Sequence, residues 1–175
     1  QKAAQIRDAT DPFQFALSTR AGMDALSHLV RSWTELHPEG VVLKLDGAGA
    51  FDHVHRAAML RAVRDKFPEL LPFVYMWYGA SSEYHWHDDE GRLHLIPQGE
   101  GGEQGDPLML ALYAMAQHGG LEAAQRMLDP CGARIVGFLD DLYVLIPNAV
   151  DAGRCFHVTT EAVHRACGVA CNHAK

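Results

Sequence analysis

Several features that mark special classes of protein are scarce in this 175-residue sequence. Its four cysteines, Cys131, Cys155, Cys167 and Cys171, are too few for a disulfide scaffold and lack the spacing of a zinc ribbon. No run of about 18 apolar residues occurs, and the first residues have neither the basic nor the apolar part of a signal peptide. We therefore expect an intracellular protein, nuclear or cytoplasmic, with no membrane span.

Basic residues are also in the minority. Lys and Arg number 15 against 22 Asp and Glu, which gives a formal net charge of −7. This balance argues against a surface built throughout to hold nucleic acid, although it is compatible with a local basic groove. With 48% hydrophobic residues, the chain has enough apolar material for one domain with a full core.

The apolar periodicity predicts an α+β layout without internal repeats. In chain order, the predicted elements are a helix (21–37), a strand (41–46), two helices (55–67 and 70–79), a hairpin (82–97), a long helix (106–128), a second hairpin (133–147), a helix (150–167) and a short last segment (168–175). The long helix is expected to begin with Asp106 as N-cap and Pro107 at the first helical position, with a break at Gly119-Gly120.

Two adjacent aspartates, Asp140 and Asp141, interrupt the apolar stretch IVGFLDDLYVL at the centre of the second hairpin. Two charges at a hairpin turn are usually solvated, but Asp-Asp without glycine is a poor two-residue turn, and the flanking residues are apolar. Carboxylates near apolar surroundings repel each other unless a cation neutralises them. The pair therefore suggests a Mg²⁺ site, with Asp46 at the end of strand 41–46 as the third acid.

Five segments of the sequence resemble conserved motifs of the reverse transcriptases, in particular those of non-long-terminal-repeat retroelements. In chain order they are FQFALSTRAGMDAL, VVLKLDGAGAFDHVHRAAML, GGEQGDPLMLALY, GFLDDLYVL and GVACNHAK. They occur in the order of the family and extend over nearly the whole chain. The resemblance implies an α+β polymerase palm, a ferredoxin-like antiparallel sheet backed by helices, with part of the fingers.

The resemblance also implies an activity, that of an RNA-directed DNA polymerase. Carried over to this sequence, it assigns Asp46 and Asp140 as direct metal ligands, with Asp141 beside them and the carbonyl of Gly47 assisting. Two Mg²⁺ ions are the implied cofactors, with Mn²⁺ as the alternative ion. The implied partners are an RNA template, a DNA primer and a deoxynucleoside triphosphate.

Five further residues match positions that bind the nucleotide in the family. Phe51 matches the aromatic residue beneath the sugar, where a rigid ring would clash with a 2′-hydroxyl; its alternative is a core residue. Gln104 and Gly105 match residues that line the incoming nucleotide, although an ordinary loop stays open for this glycine cluster. Arg20 matches a basic finger residue that contacts phosphate, with Arg7 or Lys44 as alternatives. Lys175 matches a general acid for pyrophosphate, or is a frayed terminus.

Other acids near these motifs are interpreted as structural. Asp52 is expected to cap the helix that begins near Val54, and Asp106 is expected to be an N-cap. The sequence departs from the family at Glu103, where many relatives have a basic or small residue, and at Leu110, where proline is frequent. Neither departure removes a catalytic group.

The resemblance divides the chain into two regions. Residues of about 1–40 and 72–105 are assigned to the finger-proximal part, and about 41–71 and 106–175 to the palm. In the full-length chain we expect the remaining fingers and a thumb, which would supply basic surface for the nucleic acid. A fused endonuclease domain is left open.

Two other groups of side chains invite a metal-site interpretation. His85, His87, Asp88 and Asp89 lie close together in YHWHDDE, but without a metallohydrolase pattern a solvated hairpin is favoured. The spacing of His164, Cys167, Cys171 and His173 matches no ordinary zinc finger, so core or surface roles are expected.

Two functions compete with the leading one. An RNA-dependent RNA polymerase would share the palm, although Phe51 and the Gln-Gly-Asp-Pro motif argue against it. A decayed or domesticated fragment that only binds nucleic acid or a protein would not need the intact acids Asp46, Asp140 and Asp141.

Overall fold

The computed structural model describes residues 2–172, which form the mixed helix and strand arrangement that the periodicity predicts. The α-helices are α1 (Lys2–Thr10), α2 (Gly22–Leu36), α3 (Ala50–His53), α4 (Arg56–Lys66), α5 (Leu71–Tyr78), α6 (Met109–Leu128) and α7 (Ala152–Cys167). The strands are β1 (Val41–Leu45), β2 (Ser82–His87), β3 (Leu93–Gln98), β4 (Arg134–Phe138) and β5 (Asp141–Ile146). The predicted α+β class is confirmed.

The central sheet is antiparallel, with strand order β1-β5-β4. Leu45, the last residue of β1, lies opposite Leu142 of β5, and Phe138 of β4 lies opposite Asp141. The two-residue turn between β4 and β5 is therefore Leu139-Asp140. This corrects the expectation that the aspartate pair itself joins the strands, since Asp141 already belongs to β5.

Helices cover both faces of this sheet. On one face, α6 and α7 pack together against the strands around a core that includes Leu112, Val144 and Ile146. On the other face, Leu26 of α2 packs against Val136 and Leu145. Because both faces are covered, the strands are apolar along most of their length, as the sequence of 135–145 shows.

The outer edge of β4 forms hydrogen bonds with a short N-terminal segment and with a glutamine side chain of α6. The backbone of Phe13 and Phe15 bonds to Gly137, at 2.8 and 2.9 Å. The side chain of Gln125 on α6 bonds to the carbonyl of Ala133 (2.8 Å) and the amide of Ile135 (2.9 Å). This edge is thus occupied by groups of the same chain, which protects it from pairing with other strands.

The hairpin formed by β2 and β3 is largely exposed on both faces. Its base is attached to the body through Arg56, which is buried on α4. The guanidinium of Arg56 donates to the carbonyl of Ala80 (2.5 Å), to Ser82 Oγ (2.9 Å) and to the carbonyl of Gly101 (2.9 Å). One buried cation therefore fixes both the hairpin and the glycine-rich loop that follows it.

Two helices differ from their predicted extent. Helix α6 begins at Met109 and continues through Gly119-Gly120 without the expected break. A β-carbon at Gly120 would lie 2.7 Å from the carbonyl oxygen of Ala162, so this glycine permits the close contact of α6 with α7. Helix α1 is not predicted, because its segment KAAQIRDAT has little apolar periodicity. In the described residues, no helix is long and apolar enough to cross a bilayer.

Candidate active site

A cleft of about 450 Å³ opens where β1, the β4-β5 turn and the start of α6 meet. Six of the predicted site residues line it: Asp46, Gly47, Phe51, Gln104, Gly105 and Asp140. These residues come from three motifs that are far apart in the sequence, and the fold places them around one opening.

Asp46 follows the last residue of β1 and is held by the segment after α7. Gly47 forms an antiparallel bridge with Cys171, and the amide of Asn172 donates to the Asp46 carbonyl at 2.8 Å. Asn172 Nδ2 also donates to Asp46 Oδ2 at 3.2 Å. Asn172 lines the same cleft, so the last predicted motif contributes directly to the environment of Asp46.

The two adjacent aspartates have different surroundings. Asp140 lies in the turn and lines the cleft, and it forms no hydrogen bond or ion pair within residues 2–172. Asp141 begins β5 and shares a sheet face with Tyr143, and its Oδ1 lies 3.1 Å from Nζ of Lys44. The hydrogen bond from Lys44 to Asp141, and next the charge of Asp141, raise the pKa of Lys44. Asp141 is not among the residues that line the cleft, so the structure brings together two of the three predicted acids.

The donor set of the cleft suits a hard cation that also binds phosphate. Four carboxylates line it, and no Lys or Arg of the described chain does. Glu103 and Asp106 accept hydrogen bonds from the hydroxyls of Tyr84 and Tyr78. No set of three or more His, Cys, Asp or Glu in residues 2–172 is arranged to hold a metal unaided. Mg²⁺ is commonly held by one or two carboxylates together with substrate phosphates, and Asp46 with Asp140 fits that pattern.

Phe51 forms part of the cleft wall and is supported from below by Tyr113 of α6. The two rings meet edge to face, with centroids 5.1 Å apart. Tyr113 is buried, and this burial, with Cys167, Asp140 and Asp46 nearby, raises the pKa of its hydroxyl. The Phe51 ring is therefore only partly exposed and rests on a rigid base.

The loop that contains Gln104 and Gly105 is fixed at its start by two buried glycines. The amides of Gly101 and Gly102 donate to the carbonyls of Val54 and Phe51, both at 2.9 Å. At Gly101, φ is +65° and a β-carbon would lie 2.1 Å from the carbonyl oxygen of Asp52. Gly101 is therefore required by the packing, whereas Gly105, at φ +97°, faces open space in the cleft.

Asp106 anchors the other end of this loop. Its Oδ1 accepts from the amide of Leu108 at 2.8 Å, and its Oδ2 accepts from the hydroxyl of Tyr78. Asp106 thus stabilises the turn that leads into α6, three residues before the helix begins at Met109. The prediction that Asp106 is the N-cap of the long helix was therefore wrong, because the N-cap position of α6 is Leu108 and no side chain caps the helix there.

Two residues of interest, Arg20 and Asp52, are not among those that line the cleft. Arg20 is exposed just before α2 and is not among the residues that line it. Lys175 lies outside the described residues. Asp52 is exposed within α3 and was expected to cap the helix that follows. Instead, the amide of Arg56, the first residue of α4, donates to the carboxylate of Glu100 at 2.6 Å. Glu100 was not predicted to be a cap.

The two other groups of side chains that invited a metal-site interpretation have structural surroundings. In the hairpin, Asp88 accepts from the backbone and side chain of Arg92 and contacts His94, so it stabilises the turn. In the other group, His164 contacts the Gly168 carbonyl at 3.2 Å and Cys167 is buried, while His173 lies outside the described residues.

Sequence reasoning assigned no site role to three residues that shape the cleft: Asn172, Tyr113 and Gln14. Asn172 belongs to a recognised motif and could have been considered. Tyr113 is a buried core residue that also contacts the ring of Phe51. Gln14 contacts the backbone of Leu139, 125 residues later, and no pattern in one sequence reveals such a contact.

Comparisons with known proteins give matches only at the level of structure. No family model and no curated protein sequence matches the chain. Among solved structures, telomerase from Candida albicans, in complex with the TWJ fragment of telomeric RNA, matches with a TM-score of 0.75 and 11% sequence identity. Apo telomerase from Candida tropicalis matches with a TM-score of 0.71 and 11% identity.

These matches extend over nearly the whole chain but only part of each telomerase. They cover 99% of this chain and 33% of the first telomerase, and 98% of this chain and 34% of the second. The chain therefore spans about a third of the length of the structures that it matches. At this level of identity the likeness concerns the fold alone, which is the reverse-transcriptase-like fold of the matched part of these telomerases.

Proposed function

We propose that this chain is the catalytic domain of an RNA-directed DNA polymerase of a retroelement. The observation that supports this most strongly is the convergence of Asp46, Asp140, Phe51 and Gln104 on one cleft of the fold. The retroelement assignment depends on the residues of the motifs, because the matched structures are telomerases. In this proposal the nucleic-acid partners are an RNA template and a DNA primer.

In the proposed reaction, a primer 3′-hydroxyl attacks the α-phosphate of a deoxynucleoside triphosphate, and pyrophosphate leaves. Two bound Mg²⁺ ions would activate the attacking oxygen and stabilise the leaving oxygen. The side chains of Asp46 and Asp140 would hold these ions, and Asn172 would orient Asp46. Phe51 would lie beneath the sugar, and the loop at Gln104-Gly105 would position the base. Within residues 2–172 no Lys or Arg lines the cleft, so there the metal ions would neutralise the phosphate charge.

The decisive experiment is primer extension by the full-length protein on an RNA template. We expect Asp140→Asn to lower the rate on the order of a thousandfold, because several kcal/mol of transition-state stabilisation depend on the metal ions. Asp141→Asn is the matched comparison, and its loss should be smaller, since Asp141 pairs with Lys44 away from the cleft. Equal incorporation by the wild type and Asp140→Asn would exclude the proposed metal site.

A further inference from the structure

Leu139, the residue before Asp140, has a backbone conformation that leucine rarely adopts. Its φ is +57°, and it is the first of the two residues in the turn between β4 and β5. Two-residue hairpin turns with a positive φ at this position normally have glycine there. Some other part of the molecule must therefore hold Leu139 in place.

Gln14 bonds to both backbone polar groups of Leu139. Its Oε1 accepts from the Leu139 amide at 3.0 Å, and its Nε2 donates to the Leu139 carbonyl at 2.9 Å. Gln14 is itself only 5% exposed, and its neighbours Phe13 and Phe15 are fixed to Gly137 by backbone bonds. The carboxamide of Gln14 thus makes the two backbone hydrogen bonds that a neighbouring strand would otherwise make with Leu139.

Gln117 donates a second hydrogen bond to the same carbonyl. It is fully buried in the middle of α6, and its Nε2 donates to Leu139 O at 3.1 Å. Its Oε1 has no hydrogen-bond partner among residues 2–172. A buried carbonyl without a hydrogen-bond partner lowers the stability of the folded protein. A leucine or methionine at this core position would be more stable, unless the hydrogen bond from the Gln117 side chain to Leu139 is required.

We propose that Gln14 and Gln117 are positioning residues for Asp140. Together they make three hydrogen bonds to the backbone of Leu139, hold it in the left-handed conformation and so direct the next carboxylate into the cleft. The inference rests on the proposed function, in which Asp140 binds a catalytic metal ion. It assigns to the segment before α2 a part in the active site, although no side chain of that segment lines the cleft.

The test measures metal binding as well as activity in the full-length protein. Binding of Mn²⁺ is followed by the EPR signal of the free ion, for the wild type, Gln14→Leu and Gln117→Leu. We expect the affinity for Mn²⁺ to fall by about ten- to a hundredfold in both variants, as for other residues that orient a metal ligand. Gln117→Leu keeps the volume of the core, which keeps the experiment informative if Gln14→Leu does not fold.

Gln125→Leu is the matched control. It removes the same kind of carboxamide bonds from the same strand, at the end far from Asp140. We expect its Mn²⁺ affinity to stay within about twofold of the wild type, below the range of a ligand-orienting residue. An unchanged affinity in Gln117→Leu, or an equal fall in Gln125→Leu, would overturn the proposal.

A second change separates positioning from general destabilisation. Glycine adopts a positive φ without strain, so adding Leu139→Gly to Gln117→Leu should restore much of the lost affinity. No recovery in the double variant would count against the proposed mechanism.

Amide hydrogen exchange at Leu139 tests the same idea without any metal. Exchange should be faster in Gln14→Leu and unchanged in Gln125→Leu, and unaltered exchange in Gln14→Leu would contradict the inference. If Mn²⁺ binds in a manner that depends on Asp140 but no primer is extended, the proposed function fails while the positioning role stands. If Asp140→Asn binds Mn²⁺ like the wild type, the metal assignment fails, and the exchange data alone decide the role of Gln14.

Discussion

Single residues at the cleft show how packing gives a side chain its chemical role. Phe51 is an ordinary aromatic residue in the sequence, and two interpretations, sugar contact and core, were open. The ring lines the cleft and also contacts the buried Tyr113, so it is part of the packing, and the contact with a sugar stays a prediction.

Phe51→Ala is expected to raise the use of ribonucleotides relative to deoxynucleotides in primer extension. Removal of the ring opens space for a 2′-hydroxyl, and we expect a gain of about ten- to a hundredfold in the ratio of kcat/KM values, since one such contact changes specificity by about 1–3 kcal/mol. Phe73→Ala is the control, because Phe73 is half-exposed on α5 and does not line the cleft. An unchanged ratio in Phe51→Ala would show that this residue does not select the sugar.

The aspartate pair marks the limit of what residue types alone predict. The sequence indicated correctly that Asp140 and Asp141 meet a hairpin turn, and that Asp46 ends a strand. It did not indicate that the turn is one residue earlier, because Leu-Asp is no better a turn than Asp-Asp by local preference. The glutamines that stabilise this turn come from other segments, so the register is decided by tertiary contacts.

At the scale of helices and strands, the elements with strong apolar periodicity were predicted well. Helix α2 was expected over 21–37 and is observed over Gly22–Leu36, and β1 was expected over 41–46 and is observed over Val41–Leu45. Helix α1 was missed, since its stability comes from contacts with α6 rather than from its own pattern. The break predicted at Gly119-Gly120 was wrong, because Gly120 packs closely on α7 inside a continuous helix, whereas a β-carbon at Gly119 would have no neighbour within 4 Å.

One contact between elements predicts a redox response. Cys131, after α6, and Cys155, at the start of α7, have their sulfur atoms 4.0 Å apart as free thiols. Burial and the neighbouring Cys131 raise the pKa of Cys155 to about 11. Because the thiolate is the reactive form, oxidation by glutathione disulfide should be slow near pH 7 and faster as the pH rises towards 11. The product should weigh about 2 Da less than the reduced protein by intact mass spectrometry, through loss of two hydrogens.

Cys167→Ser is a suitable comparison, because Cys167 is buried in α7 and is not paired with another sulfur in the described structure. It should form the product at the wild-type rate, whereas Cys131→Ser should form no intramolecular disulfide. A disulfide that persists in Cys131→Ser would mean that a different pair of thiols reacts.

The whole molecule combines a net charge of −7 with a cleft lined by four carboxylates. The sequence alone suggested that such a charge argues against nucleic-acid binding over the whole surface. The structure localises part of this negative charge at the cleft itself, where the proposed function requires it to hold metal ions. Composition could not make that distinction, since it counts charges without their positions.

Repulsion among the carboxylates of the cleft should lower the free energy of unfolding of the metal-free protein. Bound Mg²⁺ should raise it. Asp140→Asn removes one of the like charges around the cleft, so without divalent ions we expect the free energy of unfolding to rise by about 0.5–1 kcal/mol, as is common when functional residues are replaced. With Mg²⁺ at ten times its Kd, the wild type should gain about 1.4 kcal/mol, and the variant should gain much less. Urea unfolding with EDTA and with Mg²⁺ measures both effects.

Asp141→Asn should behave in the opposite way in the same experiment. It breaks the contact with Lys44 outside the cleft, so it should lower stability slightly without Mg²⁺ and leave the gain from Mg²⁺ intact. The two neighbouring substitutions remove the same charge, and any difference between them reflects position alone. If Mg²⁺ stabilises both variants equally, the ion does not bind at Asp140, and the cleft would have to be explained without a metal.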